Sequence, residues 1–559
     1  MGKLRTFGLC IFLLLLTSIF AGAQTFSVVY NFGSQNNDPV NPLYSGIIAQ
    51  GRNGNLYSSA LGGTNNSGAA YSVTPSGTLT ELYAFGSLTD GVQPIGGLTL
   101  GTDGDLYGTT SSGLSNASYG TIFKMTPAGT LTTLYTFTDG PDGAAPYAPP
   151  IEGRDGNFYG TACTSCDGSA TGFGSIYKMT PSGTFSVLYT CNATDCFDPE
   201  APLIQGTDGN FYGTSAYGGV SEEGSVFRIT SAGKLTVLYS FDGTHGAHPI
   251  GPLVEGTDGN FYGTTVGDTQ TGYGVVFRMT PAGKITVLHY MNYTTDGAYP
   301  YAGLVQTTDG NFYGANSGGG AFSASCAACG TIFKVSRQGN GFVFSTLHSF
   351  DQTDGETPYT TIFQHTNGLL YGTTEQGGVG NVDIHCSAGV CGLLYSENIG
   401  AAPFVALVSR AGKVGAKIEI LGQNFTKLSV VTFGTMAATT VTLGGSSFLV
   451  ATVPNGATTG SVTVTSTGGT LTSSKTFLVT PQIKSFTPPS GPVGTAVTIK
   501  GMSLTQATKV TFGGISATFT VNSDTQVTAT VPTGAKTGKI VIITPGGAAA
   551  SSTIFTVTT

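Results

Sequence analysis

Seven near-copies of one octapeptide set the spacing of residues 24 to about 402. The clearest is Thr257-Asp258-Gly259-Asn260-Phe261-Tyr262-Gly263-Thr264, and its tyrosine recurs as Tyr57, Tyr107, Tyr159, Tyr212, Tyr313 and Tyr371, at steps of 50 to 58 residues. A period of that length marks a propeller or a solenoid. Within the second repeat, four apolar runs are separated by turn chemistry, as a four-stranded blade requires: 97–100, 105–110, 121–125 and 131–137. Asp103-Gly104 fits the first tight turn and Thr126-Pro127-Ala128-Gly129 the second.

The fourth-strand pattern is missing after Tyr395 but is present at the other end of the chain, as Phe26 to Phe32. The N-terminal strand is therefore expected to complete the last blade. A seven-bladed β-propeller closed in this way is favoured over an open solenoid, which would need capping units instead. With 9% charged residues and 85 glycines in 559 positions, the whole chain reads as all-β with short strands and tight turns.

Repeats two to six carry an acid at the first turn and a base in the third strand: Asp103 and Lys124, Asp155 and Lys178, Asp208 and Arg228, Asp258 and Arg278, Asp309 and Lys334. Repeats one and seven have Asn53 and Asn367 at the turn, with Ser72 and Ser396 in the strand. Both charges are present or both are absent, so five structural ion pairs at one edge of the blades are expected.

Lys3 and Arg5, an apolar run from Leu9 to Phe20 and Ala21-Gly22-Ala23 read as a secretory signal peptide over residues 1–23. No later run has the length to span a bilayer, so a secreted or cell-surface location without a transmembrane segment is expected. From residue 403 onward there are ten Lys or Arg against Glu419 and Asp524, whereas 24–402 is strongly acidic. Such an acidic exported propeller argues against nucleic acid as a ligand. The opposite signs suggest either separate origins for the two parts or a basic tail that docks on an acidic surface.

The tight turns barely vary, whereas the loops on the opposite face differ from blade to blade, and function usually resides in such loops. The expected ligand residues there are Asp242, His245, His248, Tyr293, Asp296, Tyr299 and Tyr301. All eight cysteines after the leader map to that face as close pairs, Cys163/Cys166, Cys191/Cys196, Cys326/Cys329 and Cys386/Cys391, and export favours disulfides. Zinc on Cys163, Cys166, Cys326 and Cys329 is the rival reading, but those loops lie three blades apart. No catalytic motif, metal site or cofactor motif is found, and His289 and His348 occupy packing positions filled elsewhere by Tyr135 and Tyr239.

Beyond Ala402 two segments of nearly 80 residues align with each other. Gly415 to Gly422, Val431-Thr432-Phe433-Gly434 and Ala451 to Pro454 match Gly494 to Gly501, Val510-Thr511-Phe512-Gly513 and Ala529 to Pro532. These motifs resemble the IPT/TIG immunoglobulin-like domain, which implies two β-sandwiches, 403–480 and 481–559, acting as spacers or binding modules. The seven Tyr-Gly motifs, with turns such as Phe277 to Gly283, resemble the GloVer tandem-repeat family of exported bacterial proteins. That resemblance implies a fold but brings no catalytic residue. The resulting expectation is a non-enzymatic binding or adhesion protein whose loop face takes a glycan or a surface protein. A polysaccharide lyase or hydrolase and a structural surface component are the alternatives, and the oligomeric state is left open.

Overall fold

The computed structural model describes residues 24–559, apart from 36, 43–45, 88, 114–118, 164–171, 325, 327, 340 and 380–390. The expected signal peptide, Cys166 and Cys386 lie outside the described residues. No helix occurs among the described residues, and none is long and apolar enough to cross a membrane. Residues 25–398 form seven four-stranded antiparallel sheets. The second is typical, with Thr99–Leu100, Leu106–Thr110, Thr121–Met125 and Leu131–Thr136 in that order.

The seventh sheet takes Phe363–Gln364, Leu370–Thr374 and Leu393–Asn398 from one end of the repeat region and Thr25–Asn31 from the other. The N-terminal strand pairs antiparallel to its neighbour, from Thr25 opposite Asn398 to Asn31 opposite Leu393. This is the expected closure, and the burial pattern explains its hold. Phe26 stacks on His348 with ring centroids 3.9 Å apart, while Phe32 is fully buried beside Tyr71.

Two devices join consecutive blades, and both come from the repeated motif. The motif tyrosine of one blade packs on the residue preceding the tyrosine of the next: Tyr107 on Phe158, Tyr159 on Phe211 and Tyr262 on Phe312, with centroids 3.9 to 4.0 Å apart. Where that residue is leucine the contact becomes aliphatic. Leu56 of the first blade shares a core with Tyr371 of the last, so the ring closes.

In the second device, a Glu or Gln in the short first strand accepts from the turn amide of the preceding blade. Glu152 takes Thr102 at 2.7 Å, Gln205 takes Arg154 at 2.9 Å, Glu255 takes Thr207 at 2.9 Å, Gln306 takes Thr257 at 3.0 Å and Gln364 takes Thr308 at 3.0 Å. Gln50 takes Thr366 at 3.1 Å and so ties the first blade to the seventh, 316 residues away. Leu100 stands at the remaining joint, where Arg52 reaches across to the Thr102 carbonyl at 3.2 Å.

After the seventh blade the chain forms two successive β-sandwiches with corresponding sheets. One centres on Lys417–Leu421, Phe448–Thr452, Val430–Phe433 and Val462–Ser466; the next on Ala496–Met502, Gln526–Thr530, Lys509–Phe512 and Gly538–Thr544. Alternating residues fill separate cores around Ile420, Val431 and Leu449, and around Ile499, Val510 and Val527. The Thr459 amide donates to Gln506 at 2.8 Å and links the two.

The first sandwich sits on the turn face of the propeller. Glu419 accepts from Arg52 Nε at 3.1 Å, Ser447 donates to the Arg52 carbonyl at 2.8 Å, and Gln423 donates to Thr366 at 2.8 Å. These contacts fall on blades one and seven, whose turns carry Asn53 and Asn367 in place of Asp. Asn53 itself stays exposed, and the sandwich is held there through Arg52 and Thr366 on either side of the ring closure. His365, 1% exposed, donates from Nε2 to the Gly54 carbonyl at 3.0 Å beneath this contact.

Candidate functional site

Antiparallel topology puts the two tight turns of every blade on one face and the remaining loops on the other. The turn face has a uniform chemistry. Each turn aspartate accepts from the motif tyrosine four residues on: Tyr107 to Asp103, Tyr159 to Asp155, Tyr262 to Asp258 and Tyr313 to Asp309 at 2.8 Å, and Tyr212 to Asp208 at 2.9 Å. In the first and last blades the bond reverses, with Asn53 donating to Tyr57 at 2.9 Å and Asn367 to Tyr371 at 3.0 Å.

The strand cations play a smaller part. Lys178 meets Asp155 at 3.0 Å, Lys334 stands 3.9 Å from Asp309, and Lys124 stands 3.8 Å from Asp103 but only 3.1 Å from Asp105. Among the described residues no ion pair within 4.0 Å joins Asp208 to Arg228 or Asp258 to Arg278; Arg278 instead lies over the Phe342 ring at 5.9 Å. The tyrosine hydroxyl, a rigid donor on the adjoining strand, holds the carboxylate that the longer cation reaches only in part.

The loop face is built on a repeated backbone device. In every interblade loop the residue before a proline has φ between 40° and 59°: Asn41, Gln93, Ala145, Asp198, His248, Tyr299 and Thr357. A left-handed backbone costs an L-residue about 1–2 kcal/mol, so it needs compensation. Two inter-blade hydrogen bonds supply it. The amide donates to the long loop of the preceding blade, as from Gln93 to Ser67 at 2.8 Å, His248 to Glu223 at 2.9 Å and Tyr299 to Tyr273 at 3.0 Å. The carbonyl accepts from the long loop of the next blade, as Gln93 does from Ser111 at 3.0 Å and His248 from Val266 at 3.2 Å. The rim is thus belted by hydrogen bonds, and each belt position presents a different side chain.

A second repeated device anchors the loop aspartates. Tyr83 donates to Asp90 at 2.7 Å, Tyr135 to Asp142 at 3.0 Å and Tyr189 to Asp195 at 2.6 Å, and burial together with these carboxylates pushes the Tyr83 and Tyr135 hydroxyls up to about 12. His289 and His348 replace the tyrosine opposite Asp296 at 2.7 Å and Asp354 at 2.9 Å. Asp296 is therefore engaged in holding its own loop.

The residues expected to bind ligand separate into several groups. Asp242 pairs with His245 of its own loop at 3.0 Å. His248 turns instead to the fourth blade, where Nδ1 lies 2.9 Å from the Ala216 carbonyl, Nε2 lies 3.5 Å from Glu223, and the ring is 4.9 Å from that of Tyr217. Tyr293 and Tyr299 both pack on Tyr273, at 5.4 and 6.0 Å, and Tyr301 packs on Tyr359 at 5.0 Å. Phe173, Phe197 and Tyr217 continue the series at 5.1 and 6.0 Å, so aromatic rings follow one another along the rim from blade three to the loop after blade five. All four exposed aromatic side chains among the described residues, Phe173, Tyr217, Tyr299 and Phe322, belong to this face.

Sequence reasoning missed Glu200. It follows Pro199 at the place held by Ile95, Tyr147, Ile250, Tyr301 and Tyr359 in other repeats, and aligning that place would have found it. Burial, with the charge of Asp198 adding, lifts its carboxyl to about 7. Tyr217 is raised by burial and by both carboxylates. Disulfides close the loops: Cys191–Cys196 with Cα atoms 5.1 Å apart and Cys326–Cys329 at 5.4 Å, and Cys163 and Cys391 are disulfide-bonded as well. Cys191, Asp195 and Cys196 have the dimensions of a metal site, but the bonded sulfurs are not available as thiolates.

A family model of the Gloeobacter/Verrucomicrobia repeat matches residues 16–205 and 151–385, and one of the IPT/TIG domain matches 481–558. No curated protein matches the chain. Among solved structures, a streptogramin B lyase is similar at 18% identity over 67% of this chain and 97% of that one, with a TM-score of 0.43. A fungal alcohol oxidase is similar at 15% identity over 79% and 98%, with a TM-score of 0.43. SGBP-B from Bacteroides uniformis is similar at 22% identity over 27% and 48%, with a TM-score of 0.14.

Proposed function

We propose, from the premise that the chain belongs to the Gloeobacter/Verrucomicrobia repeat family, that it is an exported, non-enzymatic binding protein whose loop rim takes a glycan or a protein of a cell surface. The observation that carries this reading is the confinement of all four exposed aromatic side chains among the described residues to the rim, beside a hydrogen-bonded belt, while the sandwich occupies the opposite face. Exposed rings on a pre-organised surface bind sugar faces and protein side chains without the entropy cost of ordering a loop. The disulfides support export, because such bonds persist in oxidising compartments. The proposal divides the chain into a leader over 1–23, a propeller over 24–402 and sandwiches over 403–480 and 481–559.

Glu200 favours one second reading. A carboxyl near 7 beside Asp198 has the character of a proton donor, so a lyase or hydrolase acting on an extracellular polysaccharide is the alternative. A glycan array probed with the whole secreted chain, run alongside a turnover assay on the glycans it retains, separates the two. Retention without turnover is expected. Turnover that Glu200→Gln abolishes would replace the binding reading with the enzymatic one, and silence towards both glycans and intact cell surfaces would remove it.

A further inference from the structure

Between the turn face and the first sandwich lies a cavity of about 520 Å³, whose lining includes Glu152, Arg154, Gln205, Arg410 and Lys417. That volume is within the range of small-ligand sites. Its polar wall is cationic, and its two arginines lack a carboxylate partner among the described residues. Arg154 donates to two neutral carbonyls, Gly206 at 2.8 Å and Thr207 at 3.2 Å. Arg410 has its Nε wholly buried with no hydrogen-bond partner.

Lys475 of the same sandwich lies close enough to feel Arg410. Burial first, and then that neighbouring charge, bring its ammonium down to about 8. The nearby carboxylates are hydrogen-bonded to turn residues, Glu152 to Thr102 at 2.7 and 2.6 Å and Glu255 to Thr207 at 2.9 and 2.6 Å, and Glu255 offsets only part of the positive charge of Arg154, Arg410 and Lys475. A buried guanidinium N–H without an acceptor is costly, and like charges beside it add to the cost. An oxyanion in the cavity, accepting from the outer nitrogens of the guanidinium, would relieve the repulsion among these charges, although the Arg410 Nε itself is closed off from it.

We propose that this cavity binds a small oxyanion, a carboxylate, sulfate or phosphate group seated on Arg410 and flanked by Arg154. The site depends on the docking of sandwich on propeller and is independent of what the rim binds. The two ends of the propeller then serve different ligands, a surface at the loops and a small anion at the turns.

The test is calorimetric titration of the whole secreted chain in chloride buffer with inorganic phosphate, sodium sulfate and glucuronate in turn. At least one should bind saturably and raise the melting temperature, and the affinity should fall with added sodium chloride. Arg410→Met should weaken that anion by about tenfold or more, as loss of a charge-assisted hydrogen bond does. Which of the three binds tells a sugar acid from an inorganic anion. If none binds, or if Arg410→Met binds as tightly as the native chain, the site does not exist. Should Arg410→Met fail to melt cooperatively, Arg154→Met takes its place in the titration: weakened binding supports the site and native affinity rules it out.

Discussion

Replacing Glu397 by methionine should make the propeller more stable, and the gain should depend on pH. Glu397 lies opposite Leu370 in the third strand of the seventh blade, in the register held by Met125 opposite Leu106 and Met179 opposite Phe158. It is 2% exposed, and its Oε2 has no hydrogen-bond partner. Burial lifts its carboxyl from the ordinary 4.5 to about 7, against a smaller opposing pull from His348; Tyr313 and Tyr395 are the other titratable groups that feel its charge.

The native state therefore holds this proton more tightly than the unfolded chain. Its contribution is intact below about pH 4.5 and is lost as pH rises through about 7. A shift of that size corresponds to about 3 kcal/mol at alkaline pH. Methionine has a volume and shape that the same register already accommodates in other blades. Scanning calorimetry of the propeller transition at about pH 5 and about pH 8 should show Glu397→Met gaining several degrees over the native chain at the higher pH and much less at the lower. An equal gain at both values would refute the argument, because the charged carboxylate would then not be what destabilises the blade.

Three further outcomes follow from the repeated devices. Asp258→Ala should cost about 1–3 kcal/mol, since it leaves the Tyr262 hydroxyl and the Asn260 amide without their acceptor, whereas Asp258→Asn should cost less by reversing the bond as Asn53 and Asn367 do; thermal melts of the two variants make the comparison. Ala145→Gly should raise stability by up to about 1 kcal/mol, because glycine accepts its φ of 40° without strain, and a lowered melting temperature would contradict this. Arg52→Ala should loosen the sandwich from the propeller by removing the Glu419 contact, seen as faster proteolysis between residues 398 and 406 and a larger radius of gyration in solution scattering.

The ring and its closure were legible because both are written in period and pattern. Phe26 to Phe32 repeats the fourth-strand rhythm, and the pairing of Thr25 with Asn398 follows from it. The turn chemistry was legible only in part. Charge covariation among the repeats pointed to Lys and Arg, but the nearer partner of each aspartate is the tyrosine four residues on, which never varies and so gives no covariation signal.

The belt was not legible, because a left-handed backbone at residues as different as Gln93, His248 and Thr357 has no side-chain signature; its trace was the proline after each. The seating of the sandwich left no periodicity at all. Arg52 and Glu419 are 367 residues apart, and the only hint was that the blades whose turns lack Asp are the ones the sandwich hydrogen-bonds. The ligand residues divided for a related reason. Sequence proximity grouped His245 with His248, but the belt turns His248 towards Tyr217 of the neighbouring blade, leaving His245 with Asp242.

The most direct test of the central claim, that the loop rim is the ligand face, is the affinity of one retained glycan or surface protein for the native chain and for the double variant Tyr217→Ala/Tyr299→Ala. Both side chains stand on the rim, 45% and 36% exposed, so their loss should leave the melting temperature close to native while weakening binding by about tenfold or more. Unchanged affinity in that variant, together with loss of binding in Arg52→Ala, would place the ligand on the opposite face and contradict the account.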